Sequence, residues 1–178
     1  MALFLPQRTQ RRLPPPIAKM ATNPNTTMDL PQDYRDLLAE LHAEGAEFVL
    51  IGGWAVAAHG HGRTTDDLDV LVRASPANSA AVYRALTAFG APVQQHGVDA
   101  TLFATAGPGY RVGRKPLLIE ILTQIDGIDF DDAVAEPLMI EVDSVMIRVI
   151  GLGALLRNKR AAGRTKDLAD VEALTSKR

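Results

Sequence analysis

The sequence contains no cysteine, which excludes disulfide bonds, thiolate nucleophiles and zinc sites built on thiolates. It also has no apolar run near the ~20 residues that a membrane-spanning helix needs, so no span is expected and a cytoplasmic location is. A basic excess is missing too. Lysine and arginine number 19 against 21 acids, a formal net charge of -2, which argues against a surface that tracks a nucleic-acid backbone. A nucleic-acid end remains open as a substrate. No internal repeat is visible.

What is present suits one soluble domain: 178 residues, 47% hydrophobic and 22% charged, enough to bury a real core. Residues 1–28 stand apart from it. The apolar patch ALFL is shorter than the ~7–15 residues of a secretory core segment. Arg8, Arg11, Arg12, Lys19, a proline triplet and ATNPNTT follow, with little apolar surface to offset the entropy of ordering. This stretch reads as a disordered, basic, proline-rich tail, with Met20 and Met28 as alternative starts; a basic arm that touches RNA or a partner is the sharper reading. Residues 29–178 read as the domain.

Within it, Tyr34, Leu37, Leu38 and Leu41 share one helical face, predicting a helix over 32–44 that Gly45 ends. Phe48 to Ile51 reads as a strand, Trp54 to His59 as a short helix, and HGHGRTTD as a turn-rich connection. Leu68 to Arg73 resumes a strand, and Ser75-Pro76 opens a helix that runs to Gly90. Further on, Val98 to Thr105 reads as a strand, Gly107-Pro108-Gly109 as a turn and Leu117 to Leu122 as an apolar strand. Phe130 to Ala135 suggests a helical turn, 138–142 and 145–150 a hairpin, and 152–162 and 166–174 two closing helices. The order predicts an α+β fold, a mixed β-sheet backed by helices.

The chemistry concentrates in GGWAVAAHGHGRTTDDLDV, residues 52–70. In a strand, positions i and i+2 project from one face, ~6.6 Å apart at about 3.3 Å per residue. Asp67 and Asp69 therefore aim two hard oxygen ligands at one space, while Leu68 and Val70 face the core and Asp66 points away. Such carboxylates suit a pair of Mg²⁺ ions. Solvated loop acids are the plainer alternative. The strand that ends in Gly52-Gly53 and opens into a helix offers backbone N–H groups and close approach to a phosphate; taken alone, the glycines are only a turn.

The string IGGWAVAAHGHGRTTDDLDVLV resembles the DNA polymerase β-like nucleotidyltransferase superfamily, with apolar-Gly-Gly, a short helical connector and Asp-apolar-Asp-apolar. Within it, this stretch and KRAAGRTKDLADVEAL (159–174) resemble the small bacterial branch of aminoglycoside and lincosamide nucleotidyltransferases and abortive-infection toxin nucleotidyltransferases. The resemblance covers residues 30–175. It implies a nucleotidyltransferase-like core with C-terminal helices, two Mg²⁺ ions (with Mn²⁺ as a substitute), and transfer of a nucleoside monophosphate from a nucleoside triphosphate such as ATP to a hydroxyl. The family's third carboxylate, usually Asp, lies on a later strand, where Glu120 is the matching position. An acid inside an apolar strand is itself costly unless it is paired or bound to a cation. A paired glutamate at a strand edge is the alternative.

The family-like spacing also places Lys159, Arg164 and Lys166 near the phosphates or the acceptor, with an ion pair to Asp167 or Asp170 as the alternative for Lys159. Arg63 is a candidate nucleotide contact beside Thr64 and Thr65. Arg111, Arg114 and Lys115 read as surface charge, His59 and His61 as loop residues, and Trp54 as a core residue or a base-stacking one. The acceptor is a small molecule, a protein hydroxyl or a tRNA end, and an antitoxin partner is among the branch's implications. Asp-x-Asp also occurs in haloacid-dehalogenase-like phosphatases, but there the strand precedes the first Asp, whereas here it follows. Sugar-nucleotide glycosyltransferases use the motif within larger domains. A catalytically silent nucleotide-binding or antitoxin-binding module of the same fold is the competing functional reading.

Overall fold

The computed structural model describes residues 28–176, so the tail expectation for 1–28 lies outside the described residues except at Met28, which packs against the core. In chain order the elements are α1 (Gln32–Ala43), β1 (Phe48–Leu50), α2 (Gly52–Ala58), β2 (Asp67–Val72), α3 (Pro76–Phe89) and β3 (Gly109–Arg114). They continue with β4 (Leu117–Leu122), α4 (Phe130–Val134), β5 (Leu138–Val142), β6 (Val145–Val149), α5 (Leu152–Ala162) and α6 (Thr165–Thr175). The six strands form one mixed sheet in the order β3-β4-β2-β1-β6-β5, with β2/β4 and β1/β6 parallel and the other pairs antiparallel. The fold is α+β, as the element order predicts.

Local signals explain most boundaries. Ser75 accepts a hydrogen bond from the Asn78 N–H, Pro76 opens α3, and Gly90 closes it in the left-handed conformation. The apolar face of α1 is fully buried at Tyr34, Leu37, Leu38 and Leu41. The central strand β1 is buried at all three positions, which is why it reads as an unbroken apolar run. On β2, Leu68, Val70 and Val72 turn into the core, and the opposite face carries Asp67, Asp69 and then Leu71.

Two expectations fail between α3 and β4. Residues 98–105 form turns rather than a strand, although Phe103 is fully buried and its N–H donates to Ser79 Oγ at 2.9 Å. The true strand is β3, whose first residue, Gly109, falls within the expected Gly-Pro-Gly turn. It is an edge strand, exposed at Gly109, Arg111, Gly113 and Arg114, with only Tyr110 and Val112 packing inward. The short helix begins at Gly52, two residues earlier than its apolar pattern suggests.

Candidate functional site

The site follows from the register of three strands. Asp69 lies directly beside Glu120 in the parallel β2/β4 pair, and Glu120 lies opposite Arg111 in the antiparallel β3/β4 pair. Side chains at paired positions share a face, so Asp67, Asp69, Glu120 and Arg111 all project from one side of the sheet. Asp67, Asp69 and Glu120 each bring a carboxylate oxygen within 4.8 Å of the others. Asp66 falls outside β2 and stands 3.9 Å from Lys115 Nζ.

The crowding has an electrostatic consequence. Burial first, then the charges of Asp67 and Glu120 and a hydrogen bond with Glu120, push the Asp69 carboxyl up from 3.8 to about 7, with Lys166 opposing the shift. A divalent cation would relieve that repulsion. The donor set, three carboxylates, is the hard-oxygen chemistry that Mg²⁺ and Mn²⁺ select, so the residues present fit such ions.

Supporting contacts fix the triad. Thr65 Oγ1 donates to Asp67 Oδ1 at 2.9 Å. Beneath the sheet, the Tyr34 hydroxyl lies 3.1–3.2 Å from the carbonyl oxygens of Asp66, Pro116 and Leu118, tying the starts of β2 and β4 to α1. Gly52 has φ +65°, and a Cβ there would overlap the Asp69 carboxylate, with Asp69 Cγ only 2.8 Å away. A Cβ on Gly53 would meet Thr65 Oγ1 at 2.5 Å and Arg63 Nη2 at 3.4 Å. The glycines thus admit the chain's own side chains, Asp69 above all, against the start of α2.

A cleft of about 370 Å³ opens over these groups. Its lining brings together every residue the sequence singles out for the site: Gly52, Gly53, Arg63, Asp67, Asp69, Glu120 and Lys159, with Arg164 and Lys166. The basic wall comes from α5, α6 and the loop before β2. Lys159 is buried there, its ammonium 2.9 Å from Asp167 Oδ1 and 2.8 Å from Asp170 Oδ2. Arg63 Nε pairs with Asp170 at 2.8 Å and Arg164 Nε with Asp167 at 2.6 Å. Lys159 therefore meets both partners considered for its ion pair. Burial alone would raise Asp167 and Asp170, but hydrogen bonds from Lys159 and from Arg164 or Arg63 outweigh it and hold both below the ordinary value.

Arg111, Gln124, Asp126 and Asn158 also line the cleft without having been singled out for it. Arg111 reads from the sequence as surface charge, because the stretch after the Gly107-Pro108-Gly109 turn has no alternating apolar pattern to mark it as a strand. Arg111 Nε donates to Glu120 Oε1 at 2.8 Å, and its Nη2 bonds the same oxygen. His59 lies outside the cleft: it caps α2, its Nε2 donates to the Ile150 carbonyl at 2.8 Å, and burial lowers its pKa. Trp54 packs edge-on against Tyr34, 6.2 Å between ring centres. A second cavity of about 520 Å³ adjoins the cleft through Gln124 and Ile125; Leu71, Ala106, Ile128 and Phe130 supply apolar lining.

A mixed sheet thus presents three converging carboxylates to a basic wall across one cleft. The chain belongs to the family described as nucleotidyl transferase of unknown function (DUF2204), whose model matches residues 31–177. Among curated proteins, none matches the sequence. A solved structure similar to the chain is that of an antigenic nucleotidyltransferase-like protein from Paracoccidioides brasiliensis. Its TM-score is 0.48 at 17% identity, covering 79% of this chain and 72% of that one. No described helix is long and apolar enough to cross a membrane.

Proposed function

We propose that the protein transfers a nucleoside monophosphate from a nucleoside triphosphate to a hydroxyl acceptor. In this reading Asp67, Asp69 and Glu120 hold two divalent cations, Mg²⁺ or Mn²⁺. The observation that carries it is the convergence of three carboxylates, from two adjacent parallel strands, within 4.8 Å at the floor of a cleft with a basic wall. When bound, the cations would neutralise the triphosphate and orient its α-phosphate.

The chain's own residues supply the rest. Arg63, Arg164 and Lys166 offer fixed positive charge to the phosphates, stiffened by the buried ion pairs of Lys159 with Asp167 and Asp170. Lys159 thereby acts on the nucleotide mainly by positioning Arg63 and Arg164 through their shared aspartates. The N–H groups of the first turn of α2, at Gly52-Gly53, add to the phosphate site. Glu120 takes the acceptor's proton as its oxygen bonds to phosphorus and pyrophosphate leaves. The adjoining cavity, lined by Leu71, Ile128 and Phe130 together with Arg73, Asp129 and Asp131, is the route for the acceptor, whether a small molecule, a protein side chain or a tRNA end. The likeness to the small bacterial branch adds a cytoplasmic setting and an antitoxin partner to this reading.

The alternative is a catalytically silent nucleotide-binding or antitoxin-binding module, and one observation favours it: Arg111 is seated on Glu120. Incubation with each labelled nucleoside triphosphate, Mg²⁺ and a panel of hydroxyl acceptors, reading pyrophosphate release, separates the two. Metal-dependent release that Asp67→Asn and Asp69→Asn abolish supports transfer. Binding of metal and nucleotide without release from any acceptor supports the silent module. Failure of both ligands to bind removes the site.

A further inference from the structure

Arg111 has no role in the transfer scheme above, yet it makes the closest contact with one of its carboxylates. It sits on the edge strand β3, paired in register with Glu120, and both its Nε and its Nη2 bond Glu120 Oε1. Its side chain is 65% exposed, whereas that of Glu120 is only 20% exposed. The arginine is therefore the movable partner and the glutamate the fixed one. It also lines the same cleft as Asp67 and Asp69.

A guanidinium and a divalent cation compete for the same carboxylate, and each repels the other. Cation binding at Glu120 is therefore weakened until Arg111 gains another anion. A triphosphate in the cleft provides one, since a guanidinium fork matches two phosphate oxygens and the exposed stem is free to swing. We propose that Arg111 is a catalytic residue that neutralises Glu120 in the nucleotide-free protein. It passes to the phosphates of the incoming nucleoside triphosphate when a divalent cation takes Glu120. This assignment rests on the metal-site reading, and it explains how a seated arginine is compatible with an active enzyme.

The sign of its effect on metal binding makes the proposal testable. A cationic competitor weakens metal binding, whereas a purely structural anchor for Glu120 strengthens it. In the full chain, Arg111→Met keeps a long stem without charge, and Arg111→Gln serves as a second variant should the first melt early. Mn²⁺ alone is titrated and the free ion counted by electron paramagnetic resonance. Affinity should rise roughly fivefold in either variant, the size of one exposed charge pair. Calorimetry with Mg²⁺ and the four ribonucleoside triphosphates carrying a methylene α–β bridge should show about a tenfold weakening for those that bind the wild type. Arg111→Lys should fall between. Unchanged or weaker Mn²⁺ binding in the Met and Gln variants, with wild-type uptake intact, overturns this inference alone. Unchanged triphosphate affinity overturns the transfer to phosphate. If neither the wild type nor the Met and Gln variants take up Mn²⁺, the metal site falls and this proposal with it.

Discussion

At the scale of single residues, the site is defined by what Asp69 endures. Its carboxyl is pushed up to about 7 by burial and by its acidic neighbours, so between pH 4 and 7 the folded protein binds a proton that the unfolded chain has released. Stability contributed by this group is thus lost as pH rises through that window and stays lost above it. Asp69→Asn should therefore match the wild type near pH 4. At pH 8, without metal, it should be more stable by up to about 4 kcal/mol, as urea unfolding at the two pH values would show. A variant less stable at pH 8 would mean that the carboxylate is paired rather than strained. Gly52 gives the converse case. Gly52→Ala combines a positive φ with overlap on Asp69, so it should cost about 2 kcal/mol or more and push the carboxylate out of place. A loss of Mn²⁺ binding larger than the loss of stability would distinguish that displacement from simple unfolding.

Among elements, legibility tracked how strongly packing writes a period into the sequence. Strand β2 announces itself because Leu68, Val70 and Val72 are buried while Asp67 and Asp69 face the cleft. Glu120 stands out as the one acid in the apolar β4. Strand β3 does not, because an edge strand with two glycines and two arginines packs only Tyr110 and Val112 inward. Phe103 misled in the opposite direction: a buried apolar residue needs no strand when a side-chain hydroxyl satisfies its N–H. The α5–α6 contact was legible as spacing but not as geometry. Nothing in the order of Lys159, Asp167 and Asp170 says that one ammonium meets both carboxylates. Because that pair is buried, Lys159→Met should destabilise the fold by about 3–5 kcal/mol, leaving two anions with only Arg63 and Arg164. The same carboxylates are depressed, so their contribution is present above the unfolded value and lost as acid carries the pH through the folded one. Acid unfolding followed by circular dichroism should therefore begin at a higher pH in Lys159→Met. An unchanged acid midpoint would show that Arg63 and Arg164 suffice.

Over the whole molecule, charge is nearly balanced at -2, yet the cleft gathers acids on its floor and most of its bases on its wall. The sheet floor holds Asp67, Asp69 and Glu120 with Arg111 at its edge, and the wall presents Arg63, Arg164 and Lys166 beside the paired Asp167. Neither half is well matched to a free ligand. Triphosphate alone meets the wall but is repelled by the floor, and a cation alone meets the floor but is repelled by the wall and by Arg111. On the proposed reading, a metal–triphosphate complex complements both at once. The two ligands should therefore bind with positive coupling, each tightening the other by the same factor of about ten or more. Calorimetry can measure triphosphate affinity with and without Mg²⁺, and Mn²⁺ affinity with and without a non-reactive triphosphate, closing the cycle. Glu120→Gln removes one floor charge, so triphosphate should bind more tightly in the absence of metal while the coupling shrinks. Added salt should weaken both separate affinities, because the opposed charges are partly exposed. Equal triphosphate affinity with and without Mg²⁺ in the wild type would mean that the carboxylates and the basic wall do not share a ligand. The cleft would then be two unrelated charge patches rather than one site.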